Sequence, residues 1–185
     1  MAKPPNGSVK IHVGCGMRFF GNDWLHVDAD KSIPGLDGHD AWVLPTAWAS
    51  ASMIYASHFL EYFNRDEVVG LLSRWRAYLC DGGTVRVSVP NFGKLAELYI
   101  EGGVALRRII GPLYGRRPCN GGTIYHRMAY NRSMLMGVFE DAGFPRAGIA
   151  FHDNGFQDKP FCEFDDQSKA AIDGQLISLC LEARR

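Results

Sequence analysis

Val9-Lys10-Ile11-His12-Val13-Gly14-Cys15-Gly16, with the Trp24-Leu25-His26-Val27-Asp28 that follows, decides how this sequence is read. The first stretch is a short β-branched run entering a Gly-x-Gly turn. The second is a short apolar run that ends in a carboxylate. A strand, a glycine turn and an acid at the tip of the next strand is how an α/β sheet holds the adenosyl part of a ligand.

Working outward, about ten residues separate Gly14 from Trp24, at the short limit for a crossover helix between parallel strands. The first helix is therefore reduced to a turn or two at most, with Gly21-Asn22-Asp23 as a turn. Residues 29–39 read as a loop, and Asp40-Ala41-Trp42-Val43-Leu44-Pro45 as a short third strand stopped by proline. Met53–Ser57 is a buried strand, followed by a turn and a short helical piece from His58 to Phe63.

The clearest helix comes next. Asn64 is a suitable N-cap, Glu67 completes a capping box, and Phe63 with Val68 makes a staple. Val68, Leu71, Leu72, Trp75 and Leu79 recur at helical spacing, and Asp81-Gly82-Gly83 is the expected stop. Thr84–Val89 is a strand ended by Pro90. Asn91 caps a helix carrying Leu95, Leu98 and Tyr99 that stops at Gly102-Gly103. Residues 104–130, broken by glycines and prolines, read as a long insertion or lid. Asn131 opens another helix, with Met134, Leu135, Val138 and Phe139 inward and Gly143 as stop. Arg146–Phe151 and Leu176–Ala183 are the last strands. The expected fold is a Rossmann-like, mostly parallel seven-stranded sheet with an antiparallel C-terminal strand, helices on both faces and reduced first helices.

At 185 residues the chain is expected to be one domain spanning 1–185, with residues 1–7 a flexible lead-in. Lys+Arg and Asp+Glu number 20 each, so no basic surplus points to nucleic acid. No apolar run approaches the roughly 20 residues of a membrane span. Five widely spaced cysteines without a Cys-x-x-Cys speak against a disulfide framework or a zinc knuckle. With the polar start, they predict a reducing, cytoplasmic setting. No His, Cys, Asp or Glu spacing predicts a metal site.

The glycine turn is selective in what it omits. A dinucleotide fingerprint needs a third glycine where this chain has Phe19, and no Gly-Lys-Ser or Gly-Lys-Thr makes a P-loop. A nicotinamide-dependent oxidoreductase is thereby disfavoured, and an adenosyl ligand without a diphosphate is expected.

Five motifs in order then resemble the class I S-adenosylmethionine-dependent methyltransferases. They are Lys10–Gly16, Trp24–Asp28, Asp40-Ala41 with Leu44-Pro45, Tyr55–Phe63, and Leu79–Pro90 around the fifth strand of that family. The likeness runs through Ala142-Gly143-Phe144 and is greatest to small, type-11-like members associated with sugar or cell-surface polymers. This chain departs from them with Asp81 where proline is common, Asn91 where Asp is common, and Tyr62 where His is common.

The resemblance implies S-adenosyl-L-methionine as cofactor, and it implies roles. Gly14, Cys15 and Gly16 would line its methionine and ribose portions, with Cys15 a small filler. Asp28 would accept the ribose hydroxyls, and Asp40 the adenine amino group beside the Ala41 backbone. Trp42 would either cover the adenine or be a buried strand residue. Ser57 and His58 would face the cofactor. His58 and His126 are the candidate catalytic residues, His58 as a base or acceptor contact and His126 on a lid. Glu61 would cap or orient. The implied reaction moves a methyl group to an oxygen or nitrogen of a small-molecule or glycan-linked acceptor. The alternative is a non-catalytic relative that binds the cofactor or a protein partner.

Overall fold

The computed structural model describes residues 9–164 and 169–185, with every side chain in those spans except Cys162 and Phe164. The lead-in expected at 1–7 lies outside the described residues.

Six strands form the central sheet: β1 (Val9–Val13), β2 (Trp24–Val27), β3 (Ala51–Ser57), β4 (Leu79–Pro90), β7 (Ile149–Phe151) and β10 (Ser178–Arg184). Their order is β2-β1-β3-β4-β10-β7. β1 pairs in parallel with β2 and β3, and β3 with β4. β10 runs antiparallel to both of its neighbours.

Strict alternation gives the sheet two different faces. Ile11, Val13, Ile54, Ala56, Val85, Val87, Val89, Leu179 and Leu181 point to one side. There they meet α1 (Arg65–Tyr78) and α4 (Arg132–Asp141) through Leu71, Leu72, Trp75, Leu135 and Phe139. The opposite face is aromatic: Tyr55 and Trp24 pack with Phe20, Phe156 and the Phe161 of α5 (Phe161–Phe164). Here His12 stacks on Phe20 with ring centroids 4.2 Å apart. Arg86 lies over Phe156 and Phe161 while its Nε donates to Glu182 at 2.6 Å.

The sheet has six strands, not seven, because the segment from Asp40 to Pro45 forms turns. The Asp40 carboxylate accepts from Trp42 N–H at 2.8 Å, and Asp40 C=O accepts from Val43 N–H at 3.2 Å. A backbone spent on local bonds cannot join a ladder, and Val43 faces solvent. What remains is a single parallel bridge, Val27 to Gly38. The outer edge of β2 is covered instead by Asp37, whose carboxylate accepts from His26 N–H and whose own N–H donates to His26 C=O, both at 2.8 Å.

α1 starts as expected, with Glu67 accepting from Asn64 N–H at 2.8 Å. It ends at Tyr78, before the glycines. Asp81-Gly82-Gly83 form a bulge in β4, between Leu79 opposite Ala51 and Thr84 opposite Met53. A side chain at Gly83 would stand 2.8 Å from Ala51 C=O. α2 (Phe92–Ile100) buries Leu95 and Leu98 and leaves Tyr99 exposed, and Met134 of α4, expected inward, faces solvent. Arg146–Gly148 is a helical turn, so the strand expected from 146 begins at Ile149.

The 104–130 stretch is built of regular pieces: α3 (Leu106–Tyr114) and a hairpin of β5 (Arg117–Cys119) and β6 (Gly122–Ile124). Asn120 and Gly121 join the hairpin with φ of +49° and +77°. Asn-Gly suits such a turn because both positions need the left-handed region. Asp173-Gly174 joins β8 (Ala171–Ile172) to β9 (Gln175–Leu176) in the same way, at +51° and +76°.

Candidate active site

The turn after β1 brings the glycines against the tip of β2. Gly14 N–H donates to Val27 C=O at 2.8 Å, and Gly16 N–H to Asp28 Oδ2 at 2.8 Å. Both glycines have positive φ, +68° and +55°. A Cβ on Gly14 would lie 2.3 Å from the Phe59 ring, and one on Gly16 3.1 Å from Arg117 Nη2. The turn is thus a bare cradle at the ends of two parallel strands.

Asp28 is buried and hydrogen-bonded at both oxygens. Oδ1 accepts from Asp30 N–H at 3.0 Å, and Oδ2 accepts from both Gly16 and Arg117 Nη2, the latter at 3.0 Å. Arg117 comes from the β5–β6 hairpin, which is tied down a second time by Asn120. Its Nδ2 donates to Ala29 C=O at 2.8 Å, and its Oδ1 accepts from Lys31 N–H at 3.0 Å. The hairpin therefore closes over the loop that carries Asp28.

Beneath it lies a largely apolar cavity of about 230 Å³. Gly14, Asp28, Asp40 and Ala41 line it, with Trp42, Phe59, Tyr62 and Phe63 as aromatic walls and Arg117, Cys119 and Ile124 as the roof. Trp75 Nε1 donates to Ala41 C=O at 2.8 Å and holds that backbone in place. Trp42 stands in a turn, packed against Gly70 of α1; it is a wall of the cavity, not a strand residue. Cys15 is buried in the glycine turn and does not line the cavity; burial pushes its thiol up to about 12, which removes it as a nucleophile.

His58 and His126 do not line this cavity; they meet elsewhere. His58 follows β3 with φ +49°, and its Nε2 lies 3.0 Å from Ser178 Oγ. Its Nδ1 is 3.6 Å from Glu61 Oε1, and His126 Nε2 is 3.7 Å from the same oxygen. Glu61 is 0% exposed, and neither carboxylate oxygen has a hydrogen bond among the described residues. Burial pushes its carboxyl up to about 8. His126 comes from the far end of the insertion, its ring seated on Gly115 and its Nδ1 3.1 Å from Pro112 C=O. Burial lowers its pKa. Ser57, at the end of β3, is buried opposite Ser88. Among the described residues no cluster of His, Cys, Asp or Glu could hold a metal ion, and no helix is long and apolar enough to cross a membrane.

Four residues of this arrangement had no assigned part in the sequence reading: Phe59, Tyr62, Arg117 and Asn120. Asn120 carries a local signal, the Asn-Gly pair of a tight hairpin, and Phe59 and Tyr62 lie within the Tyr55–Phe63 motif. Arg117 is placed by long-range contact.

No protein-family model matches the chain, and no curated protein matches it. Solved structures do. A methyltransferase dependent on S-adenosylmethionine from Mesorhizobium loti is 19% identical, with a TM-score of 0.56 over 97% of this chain and 92% of its own. One from Archaeoglobus fulgidus is 14% identical, with a TM-score of 0.57 over 98% and 89%. One from Methanosarcina mazei is 12% identical, with a TM-score of 0.58 over 96% and 92%. At such identities the likeness is one of fold, and it spans nearly the whole chain. The chain has the fold of the class I S-adenosylmethionine-dependent methyltransferases.

Proposed function

We propose that the chain is an S-adenosylmethionine-dependent methyltransferase acting on an oxygen or nitrogen of a small-molecule or glycan-linked acceptor. The observation that carries this reading is the buried Asp28 carboxylate, held by Gly16 N–H at the rim of a cavity walled by Trp42, Phe59 and Phe63. The residues fit such a cofactor. A carboxylate suits a pair of ribose hydroxyls, a side-chain-free turn admits a close chain, and flat aromatic walls suit a base. Asp40, with one oxygen committed to Trp42 N–H, has the other available for an adenine amino group.

When bound, the cofactor supplies a methyl group made electrophilic by its sulfonium. The chain's part is to align that methyl with the acceptor, exclude water, and receive a proton when the acceptor is a hydroxyl. Titration calorimetry with S-adenosylmethionine and S-adenosylhomocysteine tests the reading. Asp28→Ala is expected to weaken binding by about ten- to hundredfold, the scale of hydrogen bonds to a charged group. Absence of binding by the unmutated chain overturns it.

One observation favours a second reading. Arg117 already occupies the carboxylate that ribose hydroxyls would need, as in a non-catalytic protein whose site is filled by its own side chain. Formation of S-adenosylhomocysteine in the presence of an acceptor separates the two.

A further inference from the structure

Glu61 is the least explained polar group in the fold. A buried carboxyl without a hydrogen bond is costly and rare. Yet this one lies between two imidazoles, one from the sheet and one from the insertion. The titratable groups facing it are His58, His126, Tyr62 and Tyr130. Its backbone carbonyl accepts from Arg127 and Met128 N–H at 2.7 and 3.2 Å. Among the described residues its ion-pair partners are imidazoles alone, His58 and His126, so these are the groups that meet a charge on Glu61.

The atoms facing one another restrict where protons sit. His126 Nδ1 faces a carbonyl, which can only accept, so Nδ1 carries hydrogen and Nε2 is turned to Glu61. Burial disfavours both the Glu61 carboxylate alone and the His126 imidazolium alone. One proton shared between Glu61 and His126 leaves that pair neutral. On His126, it leaves Glu61 as an acceptor toward His58 Nδ1.

We propose that Glu61 is a positioning residue: it orders His58 with hydrogen on Nδ1 and a lone pair on Nε2, while His126, brought by the insertion, holds the carboxyl proton. His58 Nε2 is then the exchanging nitrogen, and it now meets Ser178 Oγ at 3.0 Å. The left-handed backbone at His58, uncommon for a residue with a side chain, is what aims the ring between Glu61 and Ser178. The gaps of 3.6 and 3.7 Å exceed a hydrogen bond by about half an ångström. Tightening of that size on ligand binding is ordinary for active sites.

The catalytic use of this order rests on the methyltransferase reading. The acceptor's X–H bond breaks and its proton goes to His58 Nε2, in place of the Ser178 contact. As the X–carbon bond forms, the methyl–sulfur bond breaks and its electron pair stays on sulfur, leaving a neutral thioether. The cluster gains one proton and one positive charge, which Glu61 faces.

The test is the tautomer of His58, read from imidazole ¹⁵N shifts in the protein without ligand. The expected result is hydrogen on Nδ1 and an unprotonated Nε2 near neutral pH. In Glu61→Gln the preference is lost, and the His58 titration moves down by about one pH unit, as removal of a nearby anion requires. His126→Gln is expected to move it in the same sense. A proton on Nε2 in the unmutated protein overturns the proposal. So does a His58 titration that neither variant moves, and the unmutated tautomer decides if Glu61→Gln does not fold. In turnover, Glu61→Gln is expected to lower kcat more than tenfold and move the acidic limb of the pH profile, with KM for the cofactor little changed. Failure to bind S-adenosylhomocysteine would remove the methyltransferase reading and leave the tautomer result standing.

Discussion

Gly14 is the residue on which the site turns. Its φ of +68° and the 2.3 Å that would separate an added Cβ from the Phe59 ring are separate constraints. The first is a property of the backbone and the second of a neighbour, so they can be divided by experiment. Gly14→Ala is expected to cost about 2–3 kcal/mol, strain and overpacking together, read as a lower urea midpoint. Adding Phe59→Ala should recover the steric part, so the double variant falls less than the sum of the singles. Arg117 gives the opposite kind of prediction. Because its guanidinium competes for Asp28 Oδ2, Arg117→Ala is expected to speed association of S-adenosylhomocysteine several-fold in stopped-flow measurements. Slower association would make Arg117 part of the ligand's own contacts. The glycine turn and Asp28 could be read in the sequence because their requirements are local. Arg117, 89 positions from Asp28, could not, since a lone arginine in a loop carries no pattern.

The β5–β6 hairpin shows which elements are legible and which are not. Asn-Gly at 120–121 is a strong two-residue turn signal, but its strands are three residues each and none of these residues is buried. They have no alternating pattern to accompany the turn, and the breakers around them read as a loop. Asp40–Pro45 erred the other way. Its apolar residues suggested a strand, but the Asp40 side chain captured the backbone first. The long helices and interior strands were read well because burial imposes a period on them, and Asn64, Asn91 and Asn131 mark where helices begin. The hairpin's hold on the rest of the fold is narrow, and Asn120 supplies much of it. Asn120→Ala is expected to raise amide hydrogen exchange across 117–124 with exchange in β1, β3 and β4 unchanged. The two lost hydrogen bonds are worth about 1 kcal/mol each. An unchanged hairpin would show that Arg117 alone holds it.

For the whole molecule, two buried groups, His12 on β1 and Glu61 in the helical turn after β3, pull stability in opposite directions with pH. His12 has its pKa lowered from 6.5 to about 3, chiefly by burial. Between those values the unfolded chain binds the extra proton, so stability rises with pH there. Glu61 has its pKa raised from 4.5 to about 8. The folded chain holds that proton, so stability falls as pH rises through this range. Each slope is about 1.4 kcal/mol per pH unit for one group. Below 6.5 His26 and His126, whose pKa values burial also lowers, add to the rising side, whereas the proton held at Glu61 acts without them from 6.5 to 8. Urea midpoints are expected to fall over that upper interval in the unmutated protein and to stay level in Glu61→Gln. An equal fall in both would place the titration elsewhere. The parallel sheet and its antiparallel last strand were legible from the order of elements. The number of strands was not, because one aspartate at position 40 decided it. That lost strand also determines how copies of the chain meet. A sheet edge with free N–H and C=O groups is a template for another chain, and at β2 the shield is Asp37, which satisfies both backbone groups of His26. Asp37→Ala removes the carboxylate half of that shield. The expected outcome is concentration-dependent association in light scattering, edge to edge through β2, with the fold of each copy intact.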